Sequence, residues 1–487
     1  VDSPRRRLIA ARDQLGVRAL FYARRGDLWL ISDSLDWLAA QWPRRPDLDE
    51  YWIGDFLTLG HSREFRRTVY RDIHRVPPGH CLQLDERDNS LRRYWQLEIA
   101  EPLHLKHAGE YAERFRELMA EAISDRLPKG TVGIAMSGGI DSTSLAALSI
   151  ELKKDASQVV AECIHYKRLM NVGEDRYARL AARDIGIDLV VRPFDDLVYD
   201  QSWRSRGIAA AEPTQSLLDA HHLRAFGQER SRRAVIWFEG EGPDNALDLE
   251  RDAYLKWLWR RREWVRFGAA CVQYAFVKGA SGWRQTLNRH VTRSMSAPRL
   301  TDIPRWLQRE FVHDLDLQQR IENLGAGGMP GHPWHPVAIS SFTSPVLQGY
   351  FGDCDFQESL APIVHRHPYL DVRVVEFMLR VPPIPWGWKK RLMRVAMRGR
   401  LPREVLEREK TPLPLHPDVA AAREQGLGEL VNRDGLQRYV DPARLPDVHA
   451  APPEVRGLFA VHALDGWLSE REGSTLRRDA ISAILET

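Results

Sequence analysis

The chain has 487 residues, 43% of them hydrophobic and 28% charged, so it can form more than one core and wholesale disorder is excluded. Its 70 Lys and Arg against 67 Asp and Glu leave a formal charge of +3, too near balance to indicate a nucleic-acid or membrane partner. The four cysteines lie far apart without a CxxC pair, which argues against a zinc site and a disulfide scaffold. No apolar run reaches about 18 residues. We therefore expect a cytoplasmic protein of about two to four domains.

The first hundred residues or so predict a β-rich unit. Residues 8–10 have a strand pattern, and the next apolar stretch predicts a hairpin that turns at Arg25-Gly26-Asp27. A further short strand, CLQLD, begins at Cys81. Residues 109–126 then have the apolar spacing of an amphipathic helix. The β-rich unit is therefore expected to end before this helix.

The next hundred residues alternate strand and helix patterns, which is typical of a parallel sheet flanked by helices. The predicted strands are 132–136, 159–166, 189–194 and 234–238, and the predicted helices are near 142–153, 174–185 and 217–230. Ligands in such folds bind at the carboxyl ends of the strands. Candidate site residues should therefore follow residues 136 and 238.

A glycine-rich string, SGGIDS at residues 137–142, directly follows the first of these strands and opens a helix. Glycines let the backbone approach phosphate oxygens, and the helix N-terminus and serine hydroxyls supply donors. A carboxylate repels phosphate, so Asp141 suits this place as a ligand of Mg²⁺. The alternative is an ordinary turn capped by Asp or Ser. The predicted phosphate-binding residues are Ser137, Gly138, Gly139, Asp141 and Ser142.

A second string, EGEGPDN at residues 239–245, follows the strand that ends at residue 238. It places two further carboxylates at the same edge of the sheet. Asp244 can complete the Mg²⁺ site with Asp141, while Glu241 can accept a proton. Such strings also occur in plain turns, so the position opposite the first string is what favours a site.

These strings resemble motifs of the asparagine synthetase family, whose members join a class II glutamine amidotransferase to an N-type ATP pyrophosphatase. Further matches follow in the family's order: RHPYLD from Arg366, KRLMR from Lys390 and LPREVLEREKTPL from Leu401. Near the start, ARDQLGVRALFY is similar to a stretch of the family's glutaminase domain. The resemblance covers nearly the whole chain.

The resemblance implies an α/β fold. Residues 107–487 would form a parallel-sheet ATP-pyrophosphatase domain, adenine nucleotide α-hydrolase-like, with a helical C-terminal part and a helical insertion at about 251–355. Residues 1–106 would form a partial β-rich Ntn-hydrolase-type glutaminase domain. In the family that domain begins with a nucleophilic cysteine. Because the chain opens at Val1, in what looks like mid-domain, we expect a fragment or a member without the ammonia-producing half.

The resemblance also implies a reaction with ATP as substrate and Mg²⁺ as cofactor. A carboxylate, aspartate in the family, is adenylated with release of pyrophosphate, and ammonia, from glutamine or free, or an amine then forms the amide. Glu241 matches the family's base, and Lys390 matches the cation that offsets charge in the transition state. A Lys pair stands out in a chain with ten Lys and sixty Arg, and Lys389 is the alternative in register.

Two departures from the motifs concern the site. Asn245 and Val364 stand where the family commonly has Glu. Arg366 and Asp371 are expected to form a supporting pair, and the histidines beside Arg366 to be packing or surface residues.

The Trp- and Arg-rich insertion leaves alternatives open. It suggests a larger carboxylate or a docked partner, as in the related lasso peptide cyclases, which close macrolactam rings on a precursor peptide. The bland interpretation is that Tyr254, Leu258, Trp259 and neighbouring apolar residues form a core-facing helical stripe. A non-catalytic nucleic-acid-binding platform of Arg and Trp is the remote alternative, disfavoured by the balanced charge.

Overall fold

The structure, a computed structural model, describes residues 7–42, 44–85, 89–99, 101–169, 173–195, 210–214, 220–247, 250–278, 303–326, 332–409 and 415–485. The N-terminal part has two three-stranded antiparallel sheets. Their strands are β1 (Leu8–Ala11), β2 (Phe21–Arg25), β3 (Leu28–Ser32), β4 (Ile73–Arg75), β5 (His80–Leu84) and β6 (Asn89–Arg93), in the orders β1-β5-β6 and β3-β2-β4. The hairpin β2–β3 turns at the predicted position, where Gly26 has φ +58°.

The centre of the molecule is a five-stranded sheet whose strands are all parallel. Its strands are β7 (Val132–Ala135), β8 (Val159–His165), β9 (Asp188–Pro193), β10 (Ile236–Phe238) and β11 (Val364–Arg366), in the order β11-β10-β7-β8-β9. The first four match the predicted strands to within two residues. Strand β11, which the sequence pattern did not predict, pairs with β10 at the edge of the sheet. The predicted α/β fold class is confirmed.

Helices surround both parts. The α-helices are Leu35–Ala40, Glu50–Leu59, Ala108–Ser124, Ile140–Lys153, Glu174–Ile185, Ala220–Arg233, Pro243–Ala246, Arg251–Arg260, Trp264–Lys278, Arg309–Asp314, Leu317–Ala326, Pro336–Thr343, Val346–Leu360, Val372–Arg380, Pro383–Trp386, Arg391–Ala396, Arg403–Glu407, Pro417–Gln425, Arg433–Leu436 and Pro452–Leu485. Short 3-10 turns are Ala156–Gln158, Pro368–Leu370, Trp388–Lys390 and Pro442–Arg444. Within the residues that the structure describes, no helix has the length and apolar character to span a bilayer.

Two main hydrophobic cores hold these elements together. The larger one surrounds the parallel sheet, where Val132, Ile134 and Phe238 are fully buried. The second core packs the helix Glu50–Leu59 of the N-terminal part against the helix Pro452–Leu485, with Ile53 and Leu464 fully buried. Both ends of the chain therefore contribute to one core.

The described part of the insertion consists mainly of helices joined by short turns and irregular segments. Tyr254 and Leu258 are buried, as a core-facing stripe requires. Trp259 and Trp264 instead pack edge to face, with ring centroids 4.6 Å apart, and are 57% and 50% exposed. Only part of the predicted apolar stripe therefore faces the hydrophobic core.

Candidate active site

The candidate phosphate loop, residues 137–142, joins β7 to the helix Ile140–Lys153. Gly139 is the helix N-cap and has no side chain to occupy the first amides of the helix. The Ser137 amide donates to Oγ of Ser142 at 3.1 Å, which closes the loop over the helix N-terminus. Amides at a helix N-terminus favour negative charge. The loop therefore has the backbone geometry of an anion site.

Gly138 explains why this loop needs glycine. Its φ is +34°, and a Cβ there would lie 2.5 Å from the carbonyl oxygen of Glu174 and 2.7 Å from the amide nitrogen of Ala178. Both atoms belong to the helix Glu174–Ile185, which therefore packs directly on the loop. A side chain at this position would push the helix and loop apart.

The second loop, which follows β10, lies against the first. The Glu239 amide donates to the Arg366 carbonyl at 3.0 Å, which continues the β10–β11 pairing. A Cβ on Gly240 would lie 3.5 Å from the Ser142 amide nitrogen, within van der Waals contact. The two sequence strings that were predicted to face one another are thus brought together.

Lys390 lies between the two carboxylates that we predicted as metal ligands. Its Nζ donates to Oδ2 of Asp141 and lies 2.6 Å from Oδ1 of Asp244. Its side chain is only 14% exposed. Burial alone would lower the pKa of Lys390, but the two carboxylates outweigh it and raise the pKa. The side chain is therefore a fixed cation at the carboxyl ends of β7 and β10.

The backbone before the helix Arg391–Ala396 separates Lys390 from Lys389. Both residues have positive φ, +47° for Lys389 and +54° for Lys390, a conformation that costs free energy in residues other than glycine. The Lys389 ammonium pairs with Glu409, away from Asp141. Of the two alternatives in register, Lys390 is the one that reaches the loop.

Glu241 lies on the loop after β10, and its charge acts on Tyr350 of the helix Val346–Leu360. Burial raises the pKa of Tyr350 well above its ordinary value, and the nearby charges of Glu239 and Glu241 act in the same direction. The Tyr350 ring also packs on His367, with centroids 5.5 Å apart. Tyr350 thus borders the candidate base, which the sequence gave no reason to expect.

A network of hydrogen bonds and ion pairs holds the Glu239 side chain of the second loop. Oε1 of Glu239 is 3.0 Å from Nδ1 of His365, and Arg230 Nη2 is 3.8 Å from the same oxygen. Burial would raise the pKa of Glu239, but the hydrogen bond with His365 and the charge of Arg230 lower it. Arg230 and Arg192 both bind Glu162, a buried carboxylate on β8. Glu239 is therefore held as an anion away from Lys390.

The expected pair of Arg366 and Asp371 is wrong. Asp371 binds Arg126 Nη1 and Arg373 Nε, both at 2.8 Å, because it caps the helix Val372–Arg380 and faces the end of a neighbouring helix. Arg366 instead donates to the carbonyl of Arg126. The flanking His365 and His367 are both buried.

A second unforeseen residue, Tyr369, links this turn to the phosphate loop. Its hydroxyl donates to the backbone carbonyl of Asp141 at 2.8 Å, and its ring is fully buried. Its sequence neighbours gave no signal of this contact, which joins positions 228 residues apart.

The donor set suits Mg²⁺ only together with a phosphate. Asp141 and Asp244 converge on one point, where Lys390 now supplies the positive charge. Among the described residues no group of three His, Cys, Asp or Glu could hold a metal by itself. Mg²⁺ prefers six oxygen ligands and is commonly bound by one or two carboxylates plus substrate phosphates and water. Two carboxylates beside the candidate phosphate loop fit that pattern.

Comparison with known families agrees with this geometry. Residues 114–477 match the asparagine synthase family, and residues 1–95 match the glutamine amidotransferase domain family. The second match covers a partial domain.

Three relatives are similar over most of the chain. Amidase chyE of Penicillium rubens is 24% identical over 78% of this chain and 62% of its own length. Asparagine synthetase 3 of Bacillus subtilis, a glutamine-hydrolysing enzyme by name, is 22% identical over 86% of this chain and 67% of its own. Amidase chry2 of Gibberella zeae is 27% identical over 98% of this chain and 76% of its own length. The chain thus spans about two thirds of the length of these proteins.

Among solved structures, the U34-tRNA thiolase NcsA of Methanococcus maripaludis is 12% identical and covers 48% of this chain and 77% of its own, with a TM-score of 0.21. The asparagine synthase match covers most of the chain, and the paired loops with their carboxylates and lysine lie inside it. The chain belongs to the asparagine synthase family of amide-forming, ligase-type enzymes, with a partial glutamine amidotransferase domain in front.

Proposed function

We propose that this protein adenylates a carboxylate with ATP, releases pyrophosphate, and passes the activated acyl group to a nitrogen nucleophile with release of AMP. The observation that carries the proposal is the convergence of Lys390 on Asp141 and Asp244, directly beside the loop 137–142. A fixed cation, two carboxylates and a phosphate loop at one sheet edge are what adenylation requires.

In the adenylation step, Ser137, Gly138, Gly139 and Ser142 hold the pyrophosphate part of ATP through amides and hydroxyls. Asp141 and Asp244 would hold Mg²⁺, which when bound would neutralise phosphate charge. The substrate carboxylate attacks the α-phosphorus, and negative charge grows on the phosphoryl oxygens. Lys390 is placed to offset this charge, because its ammonium already lies where the two loops meet.

In the amide-forming step, a neutral amine or ammonia attacks the acyl carbon and must lose a proton. Glu241 takes this proton in our proposal, since it lies on the loop after β10. Glu239 cannot replace it easily, because His365 and Arg230 already hold that carboxylate.

For substrates we propose aspartate and ammonia, free or from glutamine, in line with the family to which the chain belongs. The alternative is an amine on a larger molecule, such as the N-terminus of a precursor peptide. Supplying each nitrogen source in turn to the preformed acyl-adenylate separates them, because only the true nucleophile accelerates AMP release.

The test of adenylation is carboxylate-dependent exchange of labelled pyrophosphate into ATP. We expect Asp141→Asn and Asp244→Asn each to slow exchange by at least about a hundredfold, since each removes charge from the metal site. The control is Asp184→Asn, an exposed carboxylate on the helix Glu174–Ile185. Exchange that survives both site variants would refute the metal assignment.

The test of the base is Glu241→Gln. Exchange should persist, whereas amide formation should slow by about 10²–10⁴-fold, the usual contribution of a general base. Single-turnover measurement of AMP release separates the two steps. If exchange falls as much as amide formation, Glu241 acts in adenylation and not as the base.

A further inference from the structure

A second cavity lies where the N-terminal part meets the end of β11. Its volume is about 710 Å³, and its walls come from residues 11–20, from Arg126 and from residues 364–373. This volume falls within the range of small-molecule sites, about 300–1,000 Å³. None of the loop residues 137–142, nor Asp244 or Lys390, lines it. It is therefore a separate compartment from the candidate active site.

The cavity wall is strongly basic. Five arginines and two aspartates line it, a formal excess of three positive charges. Most of the guanidinium groups are already bound. Arg126 pairs with Asp371 at 2.8 Å, and Arg18 pairs with Glu358 at 2.5 Å. These two cations are compensated by the protein itself.

Arg12 is bound in a different way. Its guanidinium donates to the carbonyls of Arg18, Val76 and Gly16 and to the side-chain oxygen of Gln348. Burial, followed by repulsion from Arg75, lowers the pKa of Arg12 to about 9. Four of its five N–H donors are used, so it adds charge to the wall but offers little for a ligand to bind.

Arg366 is the exception. Its Nη1 donates to the carbonyl of Arg126 at 2.5 Å, and within the described parts of the chain it has no carboxylate partner. Burial lowers the pKa of Arg366, and the charges of Arg18 and Arg126 lower it further. A partly buried cation between two others is unfavourable unless an anion compensates it.

His365 and His367 border the same cavity. Each is 4% exposed, and in the described residues Nε2 of His365 and Nδ1 of His367 have no hydrogen-bond partner. Burial lowers the pKa of His367 to about 4, so its ring is neutral near pH 7 and one nitrogen carries a proton. A neutral imidazole can thus supply a further donor beside Arg366.

We propose that this cavity binds a small oxyanion, a carboxylate or phosphate group, on the Arg366 guanidinium with His367 and Arg126 beside it. The planar fork of Arg matches either group through two parallel hydrogen bonds. Residues of the N-terminal part form the opposite wall, so the bound anion would lie between that part and the end of β11. This proposal does not depend on the adenylation chemistry.

The test is a calorimetric titration of the full chain with two probes, inorganic phosphate and succinate, against sodium chloride of equal ionic strength. We expect saturable binding of at least one probe. Arg366→Gln should weaken it at least tenfold. Arg232→Gln, an exposed arginine on the helix Ala220–Arg233, should change it less than twofold. The preference between the probes identifies the group.

Arg366→Lys keeps the charge without the fork and should retain more affinity than Arg366→Gln. Should neither variant fold, arginine-specific modification of the wild-type protein by phenylglyoxal decides, because the bound probe must protect Arg366. The absence of saturable binding to either probe, equal binding by wild type and Arg366→Gln, or modification of Arg366 unaffected by probe would overturn the proposal. Pyrophosphate exchange would be untouched by that outcome, so the two proposals fail separately.

Discussion

Two cations near the carboxyl edge of the central sheet differ in what balances their charge. Lys390 lies between Asp141 and Asp244, and these carboxylates raise its pKa although burial lowers it. Arg366, at the end of β11, donates to a backbone carbonyl, and burial and neighbouring arginines both lower its pKa. Burial acts in the same direction on both, so the neighbours decide. One cation is compensated by two carboxylates, and the other has no carboxylate partner among the residues that the structure describes.

The largest effect is expected from a substitution of Lys390. Lys390→Met removes the cation that holds Asp141 and Asp244 together and would offset transition-state charge. We expect amide synthesis to fall by about 10²–10³-fold, as when a preorganised donor to developing charge is removed. Steady-state amide formation with ATP and Mg²⁺ measures this.

The matched control is Lys389→Met. Lys389 is next in sequence and also has positive φ, but its ammonium pairs with Glu409 and its side chain is 46% exposed. We expect this variant to stay within about threefold of wild type, because an exposed ion pair contributes little. Equal losses in the two variants would mean that the turn, rather than the Lys390 ammonium, matters.

The difference between these regions also shows what the sequence can predict. Strands β7 to β10 are apolar runs, and the loops after β7 and β10 carry glycines and acids, so spacing alone predicts the loops at the sheet edge. Strand β11 is three residues long and includes a histidine and an arginine. No periodicity distinguishes it, and only its pairing with β10 makes it a strand.

Partners distant in sequence explain the failed prediction. Arg366 and Asp371 lie in one motif, RHPYLD, and were expected to form a supporting pair. Asp371 instead caps a helix and meets Arg126, which is 245 positions away. Because Asp371 binds Arg126, it does not balance the charge of Arg366 in the cavity. No local sequence pattern indicates this arrangement. The basic cavity could therefore be found only from the structure.

Asp371, which lines the basic cavity, contributes to stability through its charge. Burial would raise its pKa, but hydrogen bonds from Arg373 and Arg126 lower it to about 2. The stabilisation from ionised Asp371 is therefore present above the unfolded pKa near 4 and is lost as the pH falls toward 2. Asp371→Asn should lower the free energy of unfolding by about 2 kcal/mol at pH 7, and by much less near pH 2.

Urea unfolding at both pH values measures this effect. Asp125→Asn is the control, because Asp125 also binds Arg373 but is 58% exposed, so its loss should cost little at either pH. A cost for Asp371→Asn that does not change with pH would assign the effect to the helix cap rather than to the charge.

The smallest expected effect tests the link between the two regions. Tyr369 stands on the turn after β11, and its hydroxyl donates to the carbonyl of Asp141 at 2.8 Å. Tyr369→Phe should lower the free energy of unfolding by about 1 kcal/mol, the usual net value of one hydrogen bond. Tyr51→Phe, with a ring 38% exposed, is the control and should have almost no effect. If this contact positions the phosphate loop, Tyr369→Phe also raises the KM for ATP in pyrophosphate exchange. A loss of stability with unchanged KM would show that the loop keeps its position without the contact.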